Sequence, residues 1–245
     1  MTQTDETHDG GVEEPGTTQS EPDSTTRSAT AANEPAEPSV TGGLYEFCAT
    51  VLADPPAEEL VERLRTEGGP TLEAAPNARL ETGFDALRRW ADEVDDVGEA
   101  TRELERAHTR LFVGPRPKLQ IHESYYADDF LGRPLAVVQG TYTGLGIEPA
   151  EDSREEADHA AVELATLAIL SDREPAEPEA KDLFVHTHGW WFDELAADLE
   201  EIDAHPFYRA VGSIAAGLVQ FDAERAGIDL EELESPSYID HDQTA

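Results

Sequence analysis

From Leu44 onward the apolar residues recur at helical spacing. Leu44, Phe47, Cys48, Val51 and Leu52 stand at i, i+3, i+4, i+7 and i+8, one face of a helix, and Asp54-Pro55-Pro56 ends it. Leu60, Val61 and Leu64 mark a second, short helix that Gly68-Gly69-Pro70 terminates, and residues 71–82 carry no clear period. Phe84, Leu87, Ala91 and Val94, with Trp90 beside them, predict a third helix that Gly98 closes. Another starts near Glu99. Its stripe of Leu104, Ala107 or His108, Leu111 and Phe112 runs into Gly114-Pro115-Arg116-Pro117, where each proline fixes its own φ and disfavours helix in the residue before it. The expected product is an extended loop that finishes in the polar-aromatic cluster Glu123-Ser124-Tyr125-Tyr126.

Pro134 suits the first turn of the next helix, whose face is Leu135, Val138, Tyr142 and Leu145, with Gly146 where a C-cap is expected. An acidic linker, 147–156, leads to Asp158-His159, which opens a run with Ala160, Leu164, Leu167 and Ala168 on one side. Asp158 is placed to cap that helix and to complement its dipole. After a proline-rich break at 175–178, one stripe runs through Phe184, His188, Trp191, Leu195 and Leu199. Another runs through Phe207, Val211, Ile214 and Leu218, with Phe221 flanking. No alternating run of strand length and no fixed-period repeat is present, so the pattern predicts an all-α fold, a single compact bundle of about seven to eight or more helices.

Composition divides the chain. Residues 1–41 hold no large apolar residue apart from Met1, Val12 and Val40 and are rich in Thr, Ser, Glu, Asp, Pro and Ala, the composition of an acidic tail that stays disordered. The helical domain is expected over 42–228, followed by an acidic C-terminal tail, 229–245. The net charge of −37 is dispersed, and lysine is confined to Lys118 and Lys181 against fifteen arginines. That balance fits solvation in molar salt, where a Debye length of about 3 Å at about 1 M screens surface repulsion. The charge bears on habitat rather than activity. Cys48 is the single cysteine, which excludes an intrachain disulfide and a cysteine metal cluster and fits a reducing cytoplasm. No run is long and apolar enough for a membrane span, the N-terminus lacks a basic region and an apolar h-region, and Arg88-Arg89 lies inside a helical pattern.

The residues with chemical potential are few. His159 and Glu163, four apart on a helix beside Asp158, read as a cap with a solvated pair, as a recognition site, or as a metal or acid/base pair; two ligands do not make a metal site, and no HExxH is present. His186 and His188 point to different sides of their helix and read as packing beside Trp190 and Trp191. Glu123, Ser124, Tyr125 and Tyr126 read either as a ligand cluster or as the polar start of a helix. No phosphate loop, GxGxxG, GxSxG elbow or basic nucleic-acid stripe occurs, which excludes the common nucleotide, hydrolase and nucleic-acid designs. Helices with proline-broken loops suit a peptide groove.

Three blocks, taken in order, resemble the TorD/DmsD family of all-helical chaperones for molybdenum reductases, related to the NarJ-like nitrate reductase delta-type assembly factors. They are Leu111-Phe112-x-Gly-Pro with Glu123-Ser124-x-Tyr126; Gly146-Ile147-Glu148-Pro149 with Asp158-His159-x-x-x-Glu163-Leu164; and His188-x-x-Trp191-x-x-x-Leu195 with Pro206-Phe207-Tyr208. The resemblance spans about 44–227, in an acidic version of haloarchaeal type. It departs from the family at His108, where an aromatic is usual, at Ile121 and His122, and at Ala157, where a proline is usual.

The resemblance implies a cytoplasmic protein without catalytic activity, metal or cofactor. Its expected partner is the twin-arginine leader and apo-form of a molybdopterin-dependent reductase, and nucleic acid and stable membrane insertion are not expected. The protein would hold the leader while cofactor is inserted, as a monomer or a domain-swapped dimer. The implied peptide-binding residues are Glu123, Ser124, Tyr126, Asp158, His159 and Glu163, with Asp158 and Glu123 meeting arginine. The rival readings are a metal- or nucleotide-dependent hydrolase built on Asp158, His159 and Glu163, and a permanent accessory subunit of a reductase.

Overall fold

The last long apolar stripe becomes α10 (Pro206–Ala226), a helix buried on nearly every side. Such a helix must be enclosed by others. The computed structural model of the chain describes residues 39–69, 72, 75–127, 132–148, 154–174 and 176–233. Pro149, Pro175, residues 1–38 and residues 234–245 lie outside these, and with them most of both expected tails. Around α10 pack α1 (Val40–Ala53), α3 (Ala78–Asp92), α8 (Pro178–His188) and α9 (Phe192–Glu201). The remaining helices are α2 (Glu58–Glu67), α4 (Val97–His108), the four-residue α5 (Glu123–Tyr126), α6 (Arg133–Gly144) and α7 (Ala160–Arg173). Among the described residues no helix is long and apolar enough to cross a membrane, and the fold is all-α.

The predicted stripes are the buried faces. Leu44, Cys48, Val51 and Leu52 of α1, Leu164 and Leu167 of α7, and Phe207, Val211, Ile214 and Leu218 of α10 all lie in one core. Each large side chain so buried contributes about 1.5–3 kcal/mol of transfer free energy. Where α3 crosses α10 the backbones approach so closely that a Cβ at Gly83 would lie 2.7 Å from Ile214 Cγ1 and 3.0 Å from its backbone nitrogen. Only a glycine allows that crossing.

The boundaries differ from expectation in four places. Gly98 does not end α3, which stops at Asp92, but lies in the first turn of α4, capped by Asp96. The aperiodic stretch before residue 83 already contains the start of α3, where the Asn77 side chain accepts the Leu80 N–H at 2.9 Å. The stripe from Phe184 to Leu199 is two helices, because the chain turns at 189–191 between α8 and α9. Leu111 and Phe112 belong to a π-helical turn, Thr109–Val113, closed by the Gly114 N–H on Thr109 O at 2.7 Å. The following loop folds back on that turn, with the Leu119 N–H donating to Leu111 O at 3.0 Å. His108 fills an aromatic's place: its ring packs edge-on against Phe112 at 5.2 Å and beside Tyr208, and its Nε2 lies 3.2 Å from Leu52 O. Gly146, with φ 62°, follows the last turn of α6 in the left-handed conformation expected of a terminator.

Candidate functional site

Two segments remote in sequence are zipped together at the centre of the site. His122 and His159 form an isolated antiparallel bridge; the Glu123 N–H donates to Asp158 O and the Ala160 N–H to Ile121 O, each at 2.9 Å. This short ladder sets the start of α5 against the start of α7. Asp158 then reinforces it with its side chain: Oδ2 accepts the Ser124 N–H at 3.3 Å, and Oδ1 lies 3.3 Å from His122 Nδ1. Burial works against the ionised Asp158 carboxylate, but the hydrogen bonds from His122 and Ser124 outweigh it and hold the pKa below the ordinary value.

Behind the ladder lies a buried polar network. Glu123 accepts the Trp190 indole N–H at 2.9 Å on Oε1 and pairs with His188 Nδ1 at 2.8 Å on Oε2; His188 Nε2 lies 2.9 Å from Thr141 Oγ1 on α6. Glu163 Oε2 accepts the Trp191 indole N–H at 3.0 Å, while its buried Oε1 has no hydrogen-bond partner among the described residues. Burial first, then the charge of Glu123, push the Glu163 pKa well above the carboxylate range, against the opposing effect of the Trp191 hydrogen bond. His159 is pulled the other way. Burial and the neighbouring His122 bring its pKa down to about 3, and its Nδ1 accepts the Ala161 N–H at 3.2 Å. The neutral ring therefore carries its proton on Nε2, which lies 3.6 Å from Glu155.

All six residues singled out from the sequence are drawn into this region. Glu123, Ser124, Asp158, His159 and Glu163 are buried; Tyr126 is half exposed, donates to Asp198 at 2.9 Å and packs against the Trp191 ring. The cap on α7 is His159 rather than Asp158, because Asp158 is committed to the α5 segment. Nor do His159 and Glu163 form a solvated pair: Glu163 is 0 % exposed and turned toward Trp191. His188 and Trp190, read from sequence as packing, are partners of Glu123. A polar histidine in an otherwise apolar helical stripe was the available signal, since a buried imidazole needs a hydrogen-bond partner. Among the described residues no three His, Cys, Asp or Glu side chains are grouped to hold a metal ion.

Outside the network, a groove of about 840 Å³ runs between α1 and α7. Ala49 and Ala53 on one helix and Ala161 and Ala165 on the other give it a small apolar floor, and Ile169, 43 % exposed, stands at its edge. Glu46, Asp54, Glu148 and Glu155 line it and are exposed, with Arg154 the cation among them. The ladder residue His159 borders the same groove through Glu155.

A comparison with curated proteins gives no match. Residues 77–201, just over half of the 245, match the family model described as nitrate reductase delta subunit. The match is narrower than the 44–227 expected from the three blocks; it leaves out α1, α2 and α10. It opens at Asn77, which caps α3, closes at the end of α9, and encloses every residue of the polar network. On that coverage the chain belongs to the nitrate reductase delta subunit family, NarJ/TorD-type chaperones known for molybdoenzyme maturation.

Proposed function

We propose that this chain is a cytoplasmic maturation chaperone that binds the twin-arginine leader of a molybdopterin oxidoreductase catalytic subunit and holds it while cofactor is inserted, before export. The observation that carries the reading is the groove between α1 and α7, with its alanine floor and carboxylate rim. A leader combines an apolar stretch with a pair of arginines. The apolar stretch covers the floor of Ala49, Ala53, Ala161 and Ala165, and each guanidinium meets an exposed carboxylate, which it can grip through two N–H groups. On this reading Tyr126 is the one of the six residues with surface to offer a peptide. Asp158, His159, Glu123, Ser124 and Glu163 act from behind, by fixing where α7 begins.

The test is calorimetry in molar KCl with leader peptides of the organism's molybdenum reductases, each paired with a version in which both arginines are lysines. The expected result is binding of at least one leader, weakened by the lysine pair, because an ammonium cannot reproduce the planar fork. Ala165→Phe fills the groove from an exposed position and should lower affinity by about tenfold or more without loss of helicity. Binding of no leader would overturn the function; binding that Ala165→Phe leaves unchanged would move the site elsewhere.

A further inference from the structure

A second cavity, of about 860 Å³, opens where α4 passes into the π turn, and its chemistry is the reverse of the first. Arg106 and Arg110, four residues apart, share one face of the helix, and the Gly114-Pro115 turn brings Arg116 to the same cavity. The Lys118 backbone N–H donates to Arg110 O at 3.3 Å, which ties the returning loop, with a fourth cationic residue, to the end of this helix. All four side chains are exposed. Elsewhere Arg65, Arg79, Arg88, Arg209 and Arg225 pair with neighbouring carboxylates, and the described cations without such a pair, Arg63, Arg89 and Arg102 among them, do not share a cavity. Among the described residues no carboxylate lies within ion-pair distance of Arg106, Arg110, Arg116 or Lys118, in a chain with 54 acidic residues against 17 basic ones. The helix dipole does not account for the cluster. Arg106 lies in the last turn of α4 and offsets that dipole, but Arg116 is off the helix on the returning loop.

We propose that this cavity docks an acidic, extended segment of a partner protein. A compact phosphate is the poorer match, because this is the carbonyl end of α4 and offers no fan of N–H groups. A peptide uses what is present: Pro115 and Thr109 supply apolar surface among the cations, and Val113, 66 % exposed, precedes the Gly114-Pro115 turn in the chain. The aliphatic stems of the arginines add to it, and their forks take side-chain carboxylates two oxygens at a time. Glu105 at the rim repels any carboxylate that lands out of register. The partner is therefore recognised by Asp or Glu residues spaced among apolar ones, the opposite signature to a basic leader, so the two surfaces can be occupied together.

Fluorescence anisotropy with a labelled peptide of repeated Glu-Glu-Leu triplets tests this, in about 0.15 M KCl, where the Debye length of about 8 Å confines the field to the patch. The parent protein should bind it more tightly than a Gln-Gln-Leu control. The combined Arg106→Glu, Arg110→Glu and Arg116→Glu variant should weaken binding about tenfold or more, as expected of three exposed pairs acting together, with an unchanged circular dichroism spectrum. The corresponding triple glutamine variant serves if charge reversal perturbs folding, and it should weaken binding in the same direction. Equal affinity of parent and variants, equal binding of the glutamine control, or displacement of the peptide by inorganic phosphate at about 10 mM would each overturn the proposal, the last in favour of a small-anion site.

Discussion

Glu163→Gln tests whether the fold holds a proton at the centre of the site. Glutamine has the shape of the protonated acid and keeps an acceptor for the Trp191 indole N–H, so little else changes. Because the folded pKa of Glu163 is raised above its ordinary 4.5, the native state binds a proton that the unfolded chain has released. Stability from this group is complete below about pH 4.5 and is lost as pH rises toward the folded pKa, at about 1.4 kcal/mol per pH unit. His159 has the opposite sign. Its pKa falls from 6.5 to about 3, so its contribution is complete above 6.5 and is lost as pH falls. Above about pH 4.5 and below 6.5 the two contributions oppose each other, so the parent's stability should rise less with pH there than His159 alone would make it. In Glu163→Gln the opposing proton is gone, and the rise with pH from His159, joined by His108 and His205, whose pKa values burial also lowers, is unmasked. The difference in unfolding free energy, variant minus parent, should therefore grow as pH rises through this window, with a limiting slope of about 1.4 kcal/mol per pH unit set by the one proton the parent retains. Urea unfolding followed by circular dichroism at fixed KCl and at three pH values in this window, with m checked for constancy, measures it. Parallel stability curves would refute the assignment, because they would mean that Glu163 is ionised in the folded protein.

Lys181 is buried between Asp222 Oδ2, at 2.7 Å, and Glu174, and Asp222 also accepts the Tyr45 hydroxyl at 2.7 Å. Lys181→Ala leaves Asp222 without its closest cation and should cost about 3–5 kcal/mol in urea unfolding; a loss below about 1 kcal/mol would show that Arg225, 3.6 Å away, takes over. Gly43 and Gly83 should respond to alanine with opposite signs. Gly43 is exposed in α1 with nothing within 4 Å of a new Cβ, so Gly43→Ala should stabilise by roughly 0.5–1 kcal/mol. At Gly83 the new methyl collides with Ile214 and the α10 backbone, so Gly83→Ala should destabilise by about 1–3 kcal/mol; equal melting temperatures for the two variants would count against the close crossing.

Helix faces were legible because burial of one side imposes a period that Leu44, Cys48, Val51 and Leu52 display directly. The same logic hid the break between α8 and α9. The Gly189 N–H still reaches Val185 O at 2.8 Å and the Leu195 N–H reaches Trp191 O at 3.0 Å, so the stripe keeps its phase across the turn. The close fit at Gly189, where a Cβ would lie 2.6 Å from Val185 O, marks the turn only once the fold is known. At the site, residue types were legible and partners were not. Asp158 meets Ser124 across 34 positions and Glu123 meets Trp190 across 67, distances over which no helical period carries information. Burial of Glu123, Asp158 and Glu163 was equally hidden, since carboxylates are fully buried only when something remote pairs with them.

That burial divides the labour on the leader-binding reading. A carboxylate that meets an incoming guanidinium must keep an oxygen in water until the ligand arrives. Glu46, Asp54, Glu148 and Glu155 do, and Glu123 and Asp158 do not. The oxygens of Glu123 and Asp158 are already spent on Trp190, His188, His122 and Ser124, and opening them would strand those donors at about 1–3 kcal/mol each. A peptide that gained one exposed ion pair, worth at most about 1 kcal/mol, would not recover that loss. The motif acids thus act on a leader through geometry: they fix the ladder, the ladder fixes the start of α7, and α7 supplies half of the groove floor. Changes at Glu46 and Glu155 should accordingly alter leader affinity while leaving stability nearly untouched, whereas Asp158→Ala should lower both; separate calorimetric and unfolding measurements on the same three variants distinguish the groove from its support.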